Sequence, residues 1–162
     1  MSIHGGLAAA TACGIAMTSQ DRGVIPGFVA DDAILQAPVW IALGRIATFL
    51  QGGEIGSPTS FGLSYRLSDG LPRWPWHLIE AACMPILLFV LILVRRKSSK
   101  PFAVFATFLV AYGVVRLFTD ALREDARFLL LTVPQWTSLV LIGIGIGILA
   151  RPRVRPRQSG NA

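Results

Sequence analysis

The segment WHLIEAACMPILLFVLILV, residues 76–94, decides the class of fold. It is almost entirely apolar, and its length is close to the roughly 20 residues that an α-helix needs to cross the hydrocarbon core of a bilayer. A basic run at residues 95–100 ends it, and another apolar segment follows at residues 102–122. This order predicts a transmembrane helical hairpin with the basic run at its turn.

The composition of the whole chain agrees with a membrane protein. Of its 162 residues, 53% are hydrophobic and 15% are charged, whereas a soluble domain has about 25% charged residues. We therefore expect an all-α, polytopic transmembrane helix bundle. It is expected to have two parts, a membrane domain at residues 1–150 and a basic tail at 151–162. The membrane domain is expected to have an outer loop at 51–75 and about five spans, at 3–17, 32–50, 76–94, 102–122 and 134–150.

The basic residues predict how the chain is oriented. The net charge is +6, and two basic clusters, at residues 95–100 and 151–157, flank apolar segments. Lys and Arg beside a span favour the cytoplasmic side, so we expect a cytoplasmic C-terminus and an outer N-terminus. Such clusters also contact anionic membrane lipids. Their position beside spans leads us to expect no nucleic-acid partner.

Aromatic and small residues refine this map. Trp74, Trp76 and Trp136 fall at the outer ends of the third and fifth segments, where an aromatic belt is expected. In the fifth segment, Gly143 and Gly147 share one helix face, which predicts close packing of that face against another helix.

Several polar residues lie inside the apolar segments, where they are unfavourable and usually mark a function. On this topology, all of them fall near the outer ends of their spans. They are His4, Arg45, Thr48, Glu80, Arg116 and Asp120, with Glu54 and Arg123 at the boundary. This shared depth predicts one polar site at the outer leaflet.

The spacing of three of these residues indicates what the site binds. Arg116, Asp120 and Arg123 can share a helix face, and one acid cannot neutralise two arginines. The remaining positive charge beside Arg45 suits a phosphodiester, since guanidinium groups bind phosphate through paired hydrogen bonds. An ion pair within the helix, between Arg116 and Asp120, is the structural alternative.

Other polar residues have both structural and functional interpretations. His4 can act as an acid or a base near neutral pH, although a lone histidine at a helix start is as often an interfacial residue. For Glu80 we favour a structural role, as the partner of Arg73 or Arg45. The Asp31-Asp32 pair, at the opposite end of the second segment, is interpreted as a helix start. Cysteine is present only at Cys13 and Cys83, and each is expected to be a small buried hydrophobe.

Four short motifs follow one another along the chain. They are His4-Gly5-Gly6-Leu7; Leu43-Gly44-Arg45-Ile46 with Phe49, Gly52, Gly56, Pro58 and Thr59; Arg73-x-Pro75 before Leu78-x-Glu80-Ala81; and Tyr112-Gly113-x-x-Arg116 with Asp120, Arg123 and Glu124. In this order they resemble the prolipoprotein diacylglyceryl transferase family. The resemblance covers essentially all of this chain but only the later part of a usual family member.

The resemblance implies a multi-pass enzyme of the bacterial inner membrane. Such an enzyme moves the diacylglyceryl group of phosphatidylglycerol to the lipobox cysteine thiol of a prolipoprotein and releases glycerol phosphate. The implied partners are phosphatidylglycerol, the prolipoprotein signal peptide and membrane lipids, and no metal or organic cofactor is implied.

The same resemblance assigns roles to residues. His4 matches a histidine that would accept the proton of the thiol, and Arg45 and Arg116 match arginines that would stabilise the phosphate leaving group. These three are the expected catalytic residues. The expected substrate-binding residues are Gly56, Thr48, Glu54, Asp120, Arg123 and Glu80.

The chain departs from the family pattern close to these residues. Thr48 and Gln51 stand where the family usually has asparagine, and Gly53 and Asp120 stand where it usually has glutamate. Trp76 replaces a usual serine, and His77 replaces a usual glutamine. Thr48 and Gly53 favour an alternative, a non-catalytic phospholipid-binding membrane protein derived from the family. A small transporter is less favoured, because neither an internal repeat nor a pair of broken helices is visible.

Overall fold

The computed structural model describes residues 26–52, 56–60, 65–66, 70–123 and 132–151. The expected first span, with His4 and Cys13, lies outside these residues, as do Glu54 and the basic tail beyond Arg151. Within the described residues, the helices are α1 (Pro26–Ile34), α2 (Ala37–Leu50), α3 (Trp76–Lys97), α4 (Ala103–Asp120) and α5 (Val133–Leu149). Strands β1 (Tyr65–Arg66) and β2 (Pro72–Arg73) pair antiparallel between α2 and α3.

Within the described ranges, three stretches of helix are long and apolar enough to cross a bilayer. They are Gly27–Leu50, which comprises most of α1 and all of α2, Trp76–Lys97 and Ala103–Asp120. The helix Val133–Leu149 is apolar but shorter. These helices confirm the prediction of a helical protein with membrane-spanning segments.

The second predicted segment begins earlier than expected. Its helix starts at Pro26, not at residue 32, and a turn at residues 35–36 divides it into α1 and α2. Pro38 lies in the first turn of α2, where a helix does not need the N–H that proline lacks. The helical segment is therefore interrupted just before this proline, which begins α2.

The interpretation of Asp31 and Asp32 as helix-start residues is wrong, because both lie inside α1. Asp31 is buried and accepts a hydrogen bond of 2.8 Å from the backbone N–H of Phe105, in the first turn of α4. Asp32 accepts two hydrogen bonds from Arg95, at 2.8 and 3.3 Å. Asp31 therefore bonds to α4 and Asp32 to α3. Both partners are far away along the chain, so the sequence alone does not show these contacts.

Helix α4 lies at the centre of the described bundle. Its apolar face and those of α1, α2 and α3 enclose a core of Ile34, Ile41, Met84, Leu87, Leu91, Val104, Phe108 and Tyr112. Cys83 is a free, half-buried thiol that packs against this core. Large apolar side chains also remain exposed on the outer faces, among them Trp40, Ile86, Phe89, Phe118 and Val140. Such faces suit contact with lipid tails.

Helix α5 packs on α4 through a different glycine face from the one predicted. A Cβ added at Gly145 would lie 2.7 Å from a valine methyl of α4, and one at Gly113 would lie 2.7 Å from an isoleucine of α5. Among the described residues, nothing lies within 4 Å of such an atom at Gly143 or Gly147. Within the described residues, α5 therefore contacts α4 through Gly145 and not through the predicted face. A step of two residues turns a helix by about 200°, so Gly145 occupies the opposite face.

Candidate functional site

Glu80 joins three helices in the interior of the bundle. Its side chain is fully buried in the second turn of α3. Arg45 of α2 has its Nε 3.0 Å from Oε2 of Glu80, in an ion pair that lacks hydrogen-bond alignment. Arg116 of α4 donates from Nη1 to the same oxygen at 3.3 Å, and the Tyr112 hydroxyl donates to Oε1 at 3.2 Å. Glu80 thus pairs with Arg45, as one of the two predicted partners, and also with Arg116.

Arg116 lies between two carboxylates. Its Nη2 is 3.3 Å from Oδ1 of Asp120, one helical turn further along α4. Arg116 and Asp120 are both buried. The predicted ion pair within the helix is therefore present, and Glu80 extends it to a second helix. Removing one member of a buried ion pair leaves an uncompensated charge. Arg116, Glu80 and Asp120 therefore stabilise one another in this arrangement.

Trp76 brings a third arginine to the site. Helix α4 ends at Asp120, and Arg123 follows in the next turn with its guanidinium carbon 4.8 Å from the centre of the Trp76 ring. The guanidinium carbon of Arg45 lies 5.1 Å from the same ring. Both distances fit cation–π contacts. Trp76 is fully buried, and its indole lies against two guanidinium groups in the interior. Its predicted place in an aromatic belt is therefore wrong.

These contacts define the arginine cluster, which consists of Arg45, Arg116 and Arg123 with Glu80 and Asp120. The set contains three arginines and two carboxylates, and Glu80 and Asp120 both contact Arg116. The cluster lies at the end of the bundle where α3 begins and α4 ends, and the basic residues 95–97 lie at the other end of α3.

The loop after α2 forms part of the support for this cluster. The backbone N–H and the hydroxyl of Ser57 donate to the Leu122 carbonyl at 2.9 and 3.0 Å. The N–H of Thr59 donates to the Pro72 carbonyl at 2.8 Å. The loop therefore runs between strand β2 and the turn after α4. Both amides bond to backbone carbonyls, and the donors of Ser57 hold the turn that carries Arg123.

Gly56 permits a close approach within this loop. A Cβ at this position would overlap the carbonyl oxygen of Trp74. The Gly56 carbonyl accepts a hydrogen bond of 3.0 Å from Nη1 of Arg73, and Gly56 pairs with Arg123 in an antiparallel bridge. Only glycine lacks the atom that would force these segments apart. Gly56 therefore acts on the cluster through the backbone that precedes Arg123.

Other predicted site residues are placed apart from these contacts. The Thr48 hydroxyl donates to the Gly44 carbonyl of its own helix at 2.8 Å, a bond typical of threonine inside a helix. His4 and Glu54 lie outside the described residues. Across the part of the chain that the structure describes, no three His, Cys, Asp or Glu side chains form a group that could hold a metal ion.

Sequence reasoning missed the part that His77 plays beside Trp76. The two rings stack with their centroids 3.8 Å apart, and both residues are fully buried. The Trp76 Nε1 and both ring nitrogens of His77 have no hydrogen-bond partner among the described residues. Buried polar groups are usually paired, which makes these three atoms candidates for contact with a ligand. The sequence did carry a signal, because Trp76 and His77 stand where the family resemblance implies serine and glutamine.

The fold and the cluster together define a class of protein. It is a helical membrane protein whose bundle holds buried arginines paired with buried carboxylates, an arrangement that usually marks a functional site. The N-terminus of α3 lies at the same place, and its partial positive charge also favours an anion.

Comparison with known proteins assigns the family. The family model for prolipoprotein diacylglyceryl transferase matches residues 1–151. Three similar proteins are phosphatidylglycerol–prolipoprotein diacylglyceryl transferases. The one from Geobacter sulfurreducens is 34% identical over 96% of this chain, that from Bordetella parapertussis 34% over 96%, and that from Acidiphilium cryptum 29% over 99%.

The chain belongs to the prolipoprotein diacylglyceryl transferase family, which confirms the resemblance drawn from its motifs. It spans 63% to 64% of the length of these three relatives.

Proposed function

We propose that this chain binds phosphatidylglycerol at the arginine cluster and transfers its diacylglyceryl group to the lipobox cysteine of a prolipoprotein. The observation that carries the proposal is that Arg45 and Arg116 converge on one buried carboxylate, Glu80, with Arg123 beside them against the Trp76 ring. A phosphodiester carries one negative charge, which guanidinium groups bind through charge-assisted hydrogen bonds.

The arrangement of the cluster favours phosphate over other anions. Guanidinium groups donate paired hydrogen bonds that match phosphate oxygens. Arg45 and Arg116 belong to two helices and are already oriented by Glu80, so little reorganisation accompanies binding. Arg123 is held by its contact with Trp76. Preorganised donors of this kind are what stabilises charge that develops in a transition state.

The proposed reaction follows from these positions. The cysteine sulfur forms a bond to the glyceryl carbon of the lipid, and the bond from that carbon to the phosphate oxygen breaks. Glycerol phosphate leaves with both electrons of that bond, which adds a negative charge that Arg45 and Arg116 stabilise. The thiol loses its proton as it attacks, and His4 is the proposed acceptor by its place in the family motif.

We propose that the protein is a multi-pass protein of the bacterial inner membrane with five spans, an outer N-terminus and a cytoplasmic C-terminus. The antiparallel order of α3 and α4 supports this, because the arginine cluster and the basic residues 95–100 lie at opposite ends of these helices. With the basic end in the cytoplasm, the cluster faces the outer leaflet. The basic tail at 151–162 would then be cytoplasmic, and residues 1–150 would form the membrane domain.

One observation favours a second function. The Thr48 hydroxyl bonds to its own helix, at a position where the family resemblance implies an asparagine amide. A cluster that binds lipid without this amide would describe a non-catalytic phospholipid-binding protein. The remaining proposed substrate-binding residues are shared by both functions.

A transfer assay distinguishes the two functions. Purified protein is mixed with acyl-labelled phosphatidylglycerol and a lipobox peptide, and the label on the peptide is measured. A matched peptide with serine in place of cysteine is the control. Transfer to the cysteine peptide alone supports the enzyme. If neither peptide is labelled while lipid binding persists and is weakened by Arg45→Ala, the enzyme proposal fails and the lipid-binding protein remains.

A further inference from the structure

Two adjacent residues at the start of α3 place polar atoms in the interior without a visible structural need. Trp76 and His77 are each fully buried. Neither Nε1 of Trp76 nor either ring nitrogen of His77 has a hydrogen-bond partner among the described residues. A buried donor or acceptor without a partner is destabilising, and phenylalanine or leucine would fill the same space without it. This points to a ligand that supplies the partners.

The position of these atoms relates them to the proposed phosphate site. The Trp76 ring lies 5.1 Å from the guanidinium carbon of Arg45 and 4.8 Å from that of Arg123. The His77 ring stacks on the Trp76 ring with a centroid distance of 3.8 Å. A lipid whose phosphate contacts the arginines would therefore place its headgroup beside these two rings.

The hydrogen-bonding capacity of the pair indicates the chemistry of that headgroup. The indole N–H only donates, whereas a neutral imidazole has one donor and one acceptor. A hydroxyl group both accepts and donates, so the hydroxyls of a glycerol headgroup can satisfy all three atoms. An ammonium group only donates, cannot accept from the indole, and would lie beside Arg45 and Arg123. A phosphate without a headgroup leaves the three atoms unpaired.

We propose that Trp76 and His77 bind the terminal glycerol hydroxyls of the lipid headgroup and thereby select phosphatidylglycerol over phospholipids that lack them. The inference rests on the proposed function in one respect, the binding of the lipid phosphate by the arginine cluster. It adds two specificity-determining residues and a reason for the headgroup preference. The discrimination arises because a ligand without hydroxyls leaves buried polar atoms unpaired.

The test compares headgroups on a set of variants. The protein is reconstituted in phosphatidylcholine nanodiscs with a fluorescent phosphatidylglycerol, which is displaced by unlabelled phosphatidylglycerol, phosphatidic acid or phosphatidylethanolamine. The wild-type protein should prefer phosphatidylglycerol to both competitors. Trp76→Phe keeps the ring for the arginines but removes the N–H, and His77→Leu removes both ring nitrogens. Each should reduce the preference for phosphatidylglycerol over phosphatidic acid about tenfold, with affinity for phosphatidic acid unchanged.

Two further variants sharpen the comparison. His77→Gln keeps a donor and an acceptor and should retain most of the preference, whereas Trp136→Phe, on the exposed side of α5, should retain all of it. Arg45→Ala should weaken binding of both anionic lipids alike. If Trp76→Phe and His77→Leu keep the wild-type preference while Arg45→Ala weakens binding, the headgroup inference is wrong and the phosphate site stands. Binding that is indifferent to Arg45→Ala would instead overturn the proposed function.

Discussion

Arg45 of α2 and Glu80 of α3 form an ion pair of 3.0 Å inside an otherwise apolar helical bundle. The carboxylate is fully buried, and 12% of the arginine side chain remains exposed. Arg116 shares the same carboxylate oxygen, so Glu80 holds two positive charges close together. Two like charges at this separation repel each other, and their orientation therefore depends on the acid between them.

Glu80→Gln should destabilise the protein strongly. The amide keeps the size of the side chain and an acceptor for Tyr112, but it removes the charge that compensates Arg45 and Arg116. Removing one partner of a buried ion pair lowers the free energy of unfolding by about 3 kcal/mol or more. Thermal unfolding of the purified protein in detergent measures the change.

Asp32→Asn is the matched control for Glu80→Gln. Asp32 also pairs with an arginine, at 2.8 Å, but its side chain is 60% exposed. Exposed ion pairs contribute less than about 1 kcal/mol, so this variant should unfold close to the wild-type temperature. Equal destabilisation by the two substitutions would contradict the account of Glu80.

Gly56→Ala should distort the support of Arg123. The added methyl would overlap the Trp74 carbonyl oxygen, and the loop must move away from β2 and the turn after α4. Overpacking of this kind costs about 1–3 kcal/mol, and we expect lost lipid binding together with lower stability. Gly147→Ala, where the added atom has no described residue within 4 Å, is the control. Wild-type lipid affinity in the Gly56 variant would show that the loop does not position the cluster.

Gly145→Leu should separate α5 from α4, because this glycine contacts the backbone and side chains of α4. We expect a loss of about 1–3 kcal/mol of stability, measured by unfolding in detergent. Gly143→Leu places the same side chain on the open face of the same helix and should be close to neutral. The opposite ranking would mean that α5 packs through the face first predicted from its sequence.

The proposed topology is tested by reporter fusions. A fusion at Lys100 should report the cytoplasm, and a fusion at Gly70 should report the outer side, because α3 separates the two positions. The reporters are an enzyme active only outside the cytoplasm and a protein fluorescent only within it. The same signal at both positions would refute a membrane-spanning α3.

The sequence predicted the features that depend on local pattern. Apolar length and the basic run at 95–100 were sufficient for the α3–α4 hairpin, and α3 begins at Trp76 as its segment predicted. Polar residues at one expected depth predicted that Arg45 and Glu80 would meet. These features follow from residue type and spacing along one helix, which a sequence displays directly.

The features that sequence reasoning missed depend on how helices rotate about one another. Whether Gly143 or Gly145 faces α4 depends on the neighbour that the helix meets, and both positions are glycine. A tryptophan at a helix end is usually interfacial, and only the approach of Arg45 and Arg123 explains why Trp76 is buried. The contact of Asp31 with the start of α4 likewise joins segments far apart in the chain.

The central claim is that the arginine cluster holds the phosphate of phosphatidylglycerol, and native mass spectrometry tests it most directly. The protein is extracted from membranes that contain phosphatidylglycerol, and the bound lipid is counted on the wild type, Arg45→Ala, Arg116→Ala and Arg95→Ala. We predict that the wild type and Arg95→Ala, whose arginine pairs with Asp32 at the other end of α3, retain the lipid. The two cluster variants should lose it. Equal retention by all four proteins would contradict the claim.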